Sequence, residues 1–242
     1  MDTRIPLPPQ GRTFGSRCRV RLSDMDAGGR LRLDAVARYL QDVAGDDVDE
    51  TGWGAPEHLW VIRRVLMDVG VPFLRDREVE VVTWCSGLGA VAAGRRWSLR
   101  GDAGGRAEVD SVWIHLGSDG APARLVDFGV YAEATAGRHV STRFELAEPA
   151  ATTGGLSWPL RPTDIDLLDH VNNAVYWQAV EHCLPGSGVD PRRPLRAQLE
   201  YRQPLDLGDD VALVVGHDGS GLDVGFAVAG AVKAVARVEQ TS

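Results

Sequence analysis

The chain has 242 residues, of which 44% are hydrophobic and 25% charged, ordinary values for a globular protein with a sizeable core. Its formal net charge of −8 argues against a nucleic-acid partner, which would demand a dominant basic face. The sequence holds no apolar run long enough to cross a bilayer and no signal-peptide-like apolar start, so we expect a cytoplasmic protein without a membrane span.

The first half of the chain predicts one helix followed by a run of strands. Residues 17–22 alternate polar and apolar side chains, as a half-buried strand does, and residues 24–29 have turn chemistry. Asp34 is predicted to cap a helix with one apolar stripe that stops by Thr51-Gly52. Segments rich in β-branched and aromatic residues then predict five strands, near 60–70, 78–86, 91–101, 107–117 and 137–145.

The second half repeats that order after a linker-like stretch at 147–155. A short strand is predicted first, and then a helix from about Asn172 to Leu184, which Pro185-Gly186 ends. An antiparallel meander should follow. The strands predicted for this half lie near 156–162, 195–203, 209–217, 221–228 and 230–238.

Arithmetic supports an internal repeat. Asp26 and Asp166 are 166 − 26 = 140 positions apart, and the segments around Asp68 and Glu200 are 200 − 68 = 132 apart. Neither half alone would bury its helix well, so we expect an α+β protein in which the two antiparallel sheets join. We expect an N-terminal unit at 1–146, a linker at 147–155 and a C-terminal unit at 156–242.

The three cysteines and one acidic run are expected to have structural roles. Cys18, Cys85 and Cys183 are scattered and form no CxxC pair, so we expect buried free thiols. Cys183 follows His182, but adjacent helix residues point about 100° apart, which argues against a nucleophile–base pair. The acidic run at 46–50 is expected to form a solvated face rather than a metal site, since no His or closed ligand set accompanies it.

Candidate reactive side chains are concentrated just before the second helix. Asp164, Asp166, His170, Asn172 and Asn173 lie between the short strand and that helix. A carboxylate at a helix entrance can act as a general base or nucleophile, and helix-start amides can stabilise an oxyanion. Each of these residues also has a plain structural interpretation, as a turn residue, a structural His or a helix cap. The first copy keeps Asp26 but has Arg30 where the second has His170.

The same stretch carries a family resemblance. Asp164, Asp166, His170-Val171-Asn172-Asn173 and Tyr176 match a D-x-D-x-N-x-H-V-N-N-x-x-Y-like motif, and Leu199-Glu200-Tyr201-Arg202 matches an L-E-Y-R strand. Trp60-Val61 and the strand ending at Trp84 also match. The chain resembles the hotdog-fold thioesterases, and the double-hotdog acyl-acyl-carrier-protein (acyl-ACP) thioesterases in particular, over about residues 17–238.

The resemblance implies a tandem (double) hotdog, with each sheet wrapped around a long helix. It also implies hydrolysis of fatty acyl-ACP to fatty acid and ACP, without cofactor or metal. Asp166 would be the base or nucleophile and His170 its partner, with Asn172 and the amides near Val171 and Asn172 assisting. The first copy would shape the acyl pocket, with ordinary core packing as the alternative role for Trp53, Trp60, Trp84, Trp97 and Trp113. The chain would act as a pseudo-dimeric monomer or a homodimer.

Two departures from the family pattern leave alternatives open. The family's Asn falls on Leu168 and a further catalytic Glu of the plant enzymes on Pro204. Either Asp166 and His170 work with fewer helpers, or another residue compensates. The candidates are Asp169, Gln198, Glu200 and Gln203.

Several functions and carriers therefore remain to be separated. An acyl-CoA thioesterase and a weakened acyl-binding protein are the alternatives to an acyl-ACP thioesterase. A dehydratase is disfavoured because its Asp and His would be five apart around an Asn-Pro pair, whereas here they are four apart. Candidate arginines for docking an acidic carrier are Arg192, Arg193, Arg196 and Arg202, or Arg95, Arg96 and Arg100.

Overall fold

A computed structural model describes residues 5–53, 58–126, 128–149, 155–167, 169–217 and 221–241. Within these residues, ten strands form one sheet in which every neighbouring pair is antiparallel. The spatial order is β1-β3-β4-β5-β2-β7-β10-β9-β8-β6. The strands are β1 Thr13–Arg19, β2 Leu59–Val71, β3 Glu78–Leu88, β4 Ala92–Gly101, β5 Arg106–Leu116, β6 Leu156–Trp158, β7 Leu195–Tyr201, β8 Val211–His217, β9 Gly221–Val228 and β10 Ala231–Gln240.

The two halves of the chain meet at the pairing of β2 with β7. The register runs from Arg64 opposite Glu200 to Val69 opposite Leu195, and it places Leu66 opposite Gln198. Leu66 and Gln198 are 198 − 66 = 132 positions apart, which is the offset found in the sequence for this region. A pseudo-twofold axis therefore passes through this pair, and the two expected sheets form one continuous sheet in the described part of the chain.

Two long helices pack against each other and against the sheet. These are α1 Leu33–Thr51 and α3 Asn173–Cys183. Trp177 of α3 is fully buried, as are Met67 of β2 and Leu199 of β7, which face the helices from the joint between the halves. One core cluster thus contains side chains from both halves, so burying either helix requires both halves of the sheet.

The segment after β5 differs from the prediction. No strand forms at 137–145; a short helix, α2 Gly129–Thr135, precedes an extended segment instead. That segment crosses the outer face of the β2–β7 joint, where Glu200 accepts hydrogen bonds from the main-chain N–H groups of Glu145 and Leu146. The segment makes main-chain bonds to the sheet at Leu88, and Glu145 and Leu146 bond to a side chain instead, so β-branched and aromatic content alone gave a false strand signal. The predicted linker is described only in part, because residues 150–154 lie outside the described ranges.

Asp34 is not the cap of α1. The N-cap is Arg32, and Asp34 lies buried one residue inside the helix, where its carboxylate accepts hydrogen bonds from Arg32 and Arg38 at 2.7–3.0 Å. Burial opposes ionisation of Asp34, but these bonds outweigh it and hold the pKa of Asp34 below its ordinary value. Asp24 also has a lowered pKa, because hydrogen bonds from Tyr39, Arg21 and Arg38 outweigh its burial.

Acid should therefore destabilise the fold through these carboxylates. Groups whose folded pKa lies below the unfolded value of about 3.9 contribute stability that is complete above that value and lost as the pH falls through the folded pKa. We expect the free energy of unfolding to fall below about pH 4, and to fall less steeply in Asp34→Asn. Urea denaturation at a series of pH values measures this; an equal acid-induced loss in both proteins would show that Asp34 does not carry it.

Candidate active site

Asp166 and His170 lie in a short loop between a one-turn 3₁₀ helix, Pro162–Asp164, and α3. The loop is closed by hydrogen bonds from the Asp166 N–H to the His170 carbonyl at 2.9 Å and from the Asp169 N–H to the Asp166 carbonyl at 3.1 Å. Asp169 takes a left-handed φ of 60°, a conformation that Asp tolerates better than most residues. The loop thus fixes the backbone of Asp166 and His170, both of which are half-buried.

Asn172 and Asn173 take different roles at the start of α3. Asn172 is the N-cap: its side chain accepts a hydrogen bond from the Ala174 N–H at 2.9 Å. The Asn173 carbonyl accepts a bond from the Tyr201 hydroxyl at 3.2 Å. Neither the main-chain N–H nor the side chain of Asn173 donates a hydrogen bond within the described residues. Asn172 therefore sets the helix start, and Asn173 presents an available amide there.

The first copy folds the same loop but fills it with ion pairs. Asp26 and Arg30 make the equivalent backbone bond at 2.8 Å, and Gly29 takes the left-handed position of Asp169. The Asp26 carboxylate accepts bonds from the Gly28 and Arg30 N–H groups and from the Arg30 side chain. Arg30 is 4% exposed and also pairs with Glu181 of α3 at 2.6 Å. This loop is consequently part of the scaffold.

A cavity of about 810 Å³ begins beside the second-copy loop. Asp166, His170 and Asn173 line it, together with Tyr201 at the end of β7 and Gln203 just after that strand. Its opposite walls come from the first half and are mainly apolar; they include Ala44, Gly45, Val48, Trp60, Ile62, Val91, Ala93, Trp113, Ile114, Leu116 and Phe128. None of Asp26, Arg30 and Leu33 lines this cavity. The arrangement connects a polar corner to an elongated apolar space.

One face of α1 lines the apolar space. Gln41, Ala44, Gly45 and Val48 follow helical spacing and span about 10 Å along the axis at 1.5 Å per residue. Of the five tryptophans predicted from the first half, Trp60 and Trp113 line the cavity. Trp84 and Trp97 are buried, and Trp53 packs with Phe128 in a small neighbouring cluster. Core packing thus accounts for three of these aromatics.

The residues predicted to compensate for the missing family Asn and Glu lie in different places relative to the cavity. Gln203 and Pro204 line the cavity, whereas Oε1 of Glu200 accepts bonds from the main-chain N–H groups of Glu145 and Leu146 and from Gln198, and its Oε2 lies 3.7 Å from Arg202. Asp169 is exposed on the loop. Leu168 lies outside the described residues. Gln203 is therefore the one of the four candidates whose side chain shares the cavity with Asp166 and His170.

The acidic run at 46–50 is not simply a solvated face. Asp47 is buried and pairs with Arg95 at 2.6 Å and with Arg12 at 2.7 Å. Arg95 and Arg96 are themselves buried, so they are not docking residues, whereas Arg100, Arg192, Arg193 and Arg196 are exposed. Arg202 is half-buried and pairs with Glu148. Of the arginines predicted to dock an acidic carrier, Arg100, Arg192, Arg193 and Arg196 are therefore accessible, and Arg95 and Arg96 are not.

The cysteine thiols are unreactive at neutral pH. Burial raises the pKa of Cys85 and of Cys183 to about 11, which keeps both thiols protonated at neutral pH. Cys85 is buried, while Cys18 and Cys183 are half-buried. Across the described ranges, no group of three or more His, Cys, Asp or Glu side chains is placed to hold a metal ion. No helix there is long and apolar enough to span a membrane.

Comparison with known proteins gives matches over both halves. The family model for the acyl-ACP thioesterase N-terminal domain matches residues 11–128, and that for the acyl-ACP thioesterase C-terminal domain matches residues 148–231. The uncharacterized protein Rv2001 of Mycobacterium tuberculosis is 31% identical over 212 residues, which cover 86% of this chain and 84% of that protein. Oleoyl-acyl carrier protein thioesterase 2, chloroplastic, of Arabidopsis thaliana is 24% identical over 232 residues, covering 85% of this chain and 63% of the plant protein.

A solved structure also matches most of the chain. The crystal structure of an acyl-ACP thioesterase from Bacteroides thetaiotaomicron superposes with a TM-score of 0.77, covering 95% of this chain and 98% of that one. The sequence identity is 17%, so this likeness bears on the fold. It agrees with the expected hotdog type of fold.

Proposed function

Since the chain belongs to the acyl-ACP thioesterase family and is a thioester hydrolase, we propose that it hydrolyses long-chain acyl-ACP at the corner formed by Asp166, His170 and the start of α3. The observation that carries this proposal is the single cavity that joins these groups to the apolar walls from the first half. A fatty acyl chain needs such a space, and its thioester needs the polar corner. Release of fatty acid from its carrier would be a terminating step of fatty acid biosynthesis, which we place in the cytoplasm.

The proposed reaction uses Asp166 as general base. A water oxygen attacks the thioester carbonyl carbon while the Asp166 carboxylate takes the water proton. The Asn173 N–H at the positive end of α3 stabilises the oxyanion that forms. The carbon–sulfur bond then breaks, and the proton held by Asp166 passes to the leaving sulfur, so that the carrier leaves as a thiol and the carboxylate is restored. His170 orients the water or donates to the leaving sulfur. Direct attack by the Asp166 carboxylate through a mixed anhydride is the nucleophilic version of the same site.

The proposal gives the two halves of the chain different roles. The unit at 1–146 supplies most of the apolar wall, the unit at 156–242 supplies the reacting groups, and each acts as one hotdog of a tandem pair. Asn172 contributes indirectly, by fixing where α3 begins. The chain would work as a pseudo-dimeric monomer, with or without further pairing of two chains.

The test is a comparison of carriers at matched acyl chain lengths. Purified protein should hydrolyse long-chain acyl-ACP, with a higher kcat/KM than for the matching acyl-CoA. A clear preference for acyl-CoA would show that CoA, and not ACP, is the carrier of the substrate. Bound acyl groups without turnover of either thioester would make the chain an acyl-binding protein instead.

Gly45 offers a direct test of the acyl path. It lies inside α1 on the cavity wall, and a Cβ placed there would meet no atom within 4 Å. Gly45→Leu should therefore project into the apolar space and lower kcat/KM for the longest accepted chain by roughly tenfold or more, while short chains are spared. The measurement is a chain-length series on ACP.

Gly45→Ala is the matched control for bulk. It should leave the chain-length preference unchanged and raise the free energy of unfolding by about 0.5–1 kcal/mol, since Gly is a poor helix former. If Gly45→Leu were stable yet kept the wild-type chain-length profile, the acyl chain would not pass along α1.

A further inference from the structure

Gln41 is a polar side chain on the cavity wall that the proposed reaction does not yet use. It lies on α1, lines the cavity with His170 and Asn173, and is half-buried. Its side-chain amide makes no hydrogen bond within the described residues. Its neighbours along the same face of the helix, Ala44 and Val48, are apolar. Gln41 is therefore an available donor on the face of α1 that lines the cavity, where its α1 neighbours are apolar.

The internal repeat supplies a geometric reference for Gln41. At the offset of 140, Arg30 corresponds to His170, Leu33 to Asn173, and Gln41 to Glu181. In the first copy, Glu181 reaches from α3 to the start of α1, where it accepts a hydrogen bond from the Leu33 N–H at 2.7 Å. By the same correspondence Gln41 of α1 takes the place opposite Asn173 that Glu181 takes opposite Leu33, and Gln41 and Asn173 line the same cavity.

The difference between Glu and Gln decides what each corner can bind. At the start of α1, the Glu181 carboxylate satisfies the free amide and pairs with Arg30, so the corner is filled. At the start of α3, a neutral amide neither pairs with a cation nor repels an anion. Its Nε2–H and the Asn173 N–H can converge on one oxygen atom. A carboxylate at that position would repel a developing oxyanion.

We propose that Gln41 is a further catalytic residue, whose side-chain amide donates a hydrogen bond to the thioester carbonyl oxygen beside the Asn173 N–H. This inference rests on the proposed function and adds a contribution of the first half to the reacting centre. The oxyanion would then be held by one donor from each half of the repeat. Gln41 differs from Glu181, its counterpart in the repeat, in having an amide where Glu181 has a carboxylate.

The experiment measures kcat and KM on long-chain acyl-ACP for wild type, Gln41→Ala and Gln41→Glu across pH. Gln41→Ala should lower kcat about 100-fold with KM within about threefold, as expected for loss of an oxyanion donor. At pH 8, Gln41→Glu should lower kcat by more than Gln41→Ala does. The ratio of wild-type kcat to Gln41→Glu kcat should then fall about tenfold from pH 8 to pH 5, because the protonated carboxylic acid can again donate a hydrogen bond. A merely structural role would not produce this pH dependence.

Gln178→Glu is the matched control. Gln178 is on α3 away from the cavity and contacts Arg161, so the same chemical change there should leave kcat and its pH profile unaltered. If wild type is active and both Gln41 variants keep kcat within threefold, or if the Gln41→Glu deficit does not vary with pH, the inference is overturned and the proposed function stands. An inactive wild type would overturn both.

Discussion

Asp166→Asn is expected to lower kcat on acyl-ACP by about 10³-fold or more while the protein stays folded. The amide keeps the shape of the side chain but cannot accept the water proton or attack the thioester, so the loss corresponds to about 4 kcal/mol of transition-state stabilisation. The site loop should persist, because its closing hydrogen bonds are made by the backbone of Asp166, Asp169 and His170. Steady-state kinetics with a thermal unfolding curve measure both quantities.

Asp169→Asn controls for charge. Asp169 is three residues away, exposed and in a left-handed conformation that Asn also adopts readily. Its replacement should change kcat by less than about threefold, since a surface charge at this distance is screened. Equal losses in the two variants would mean that loop charge, and not the Asp166 carboxylate, carries the effect.

Glu181→Ala is expected to lower the free energy of unfolding by about 3–5 kcal/mol. The change removes the bidentate partner of Arg30, which is 4% exposed and keeps one bond to Asp26 at 3.1 Å, and it removes the acceptor of the Leu33 N–H at the start of α1. A buried cation that loses one of its two carboxylate partners has much of its desolvation penalty no longer offset. Chemical denaturation of wild type and variant at neutral pH gives the difference directly.

The ion pair of Arg196 with Asp68 is the matched control, because it also joins the two halves at 3.0 Å but is solvent-exposed. Arg196→Ala should cost no more than about 1 kcal/mol. A cost below about 1 kcal/mol for Glu181→Ala would show that the first-copy loop does not depend on its ion pairs, and the view of that loop as scaffold would fail.

The repeat is the part of the molecule that the sequence predicts best. Asp26 and Asp166, at the offset of 140, occupy equivalent loops, and the offset of 132 locates the axis of the β2–β7 joint. Both succeed because a repeated unit must form the same backbone bonds to bury the same helix. The helix bounds are predicted to within about a turn, since Asn172 and Pro185 are strong local signals.

The failures have physical causes in side-chain contacts. Asp34 has the residue type of a cap, but Arg38 and Arg32 draw it into a buried ion pair inside the helix. The segment at 137–145 has the β-branched and aromatic residues of a strand, but the side chain of Glu200 takes the main-chain N–H groups of Glu145 and Leu146. Asp47 belongs to an acidic run, and its partner Arg95 is 48 residues away. Arg32 and Arg38 stand two and four positions from Asp34, so this pairing was visible in the sequence, whereas the partners of Glu145 and Asp47 lie 55 and 48 positions away.

In the candidate site, too, some residues could be predicted from the sequence and one could not. Asp166 and His170 are predicted from the motif, and both line the cavity. Gln41 has no motif, because its place opposite Asn173 depends on how α1 packs on α3. A signal did exist: the offset of 140 pairs Gln41 with Glu181, and a Gln opposite a Glu marks where the two copies differ.

The most direct test of a single working site is a mirrored pair of variants, Asp26→Asn and Asp166→Asn, measured for hydrolysis of the same long-chain acyl-ACP. The two residues occupy equivalent loops, so the pair controls for every effect that the repeat shares. Asp166→Asn should abolish hydrolysis, and Asp26→Asn should retain wild-type kcat at a temperature where it is folded. Comparable rates in the two variants, whether high or low, would contradict an active site confined to the second copy.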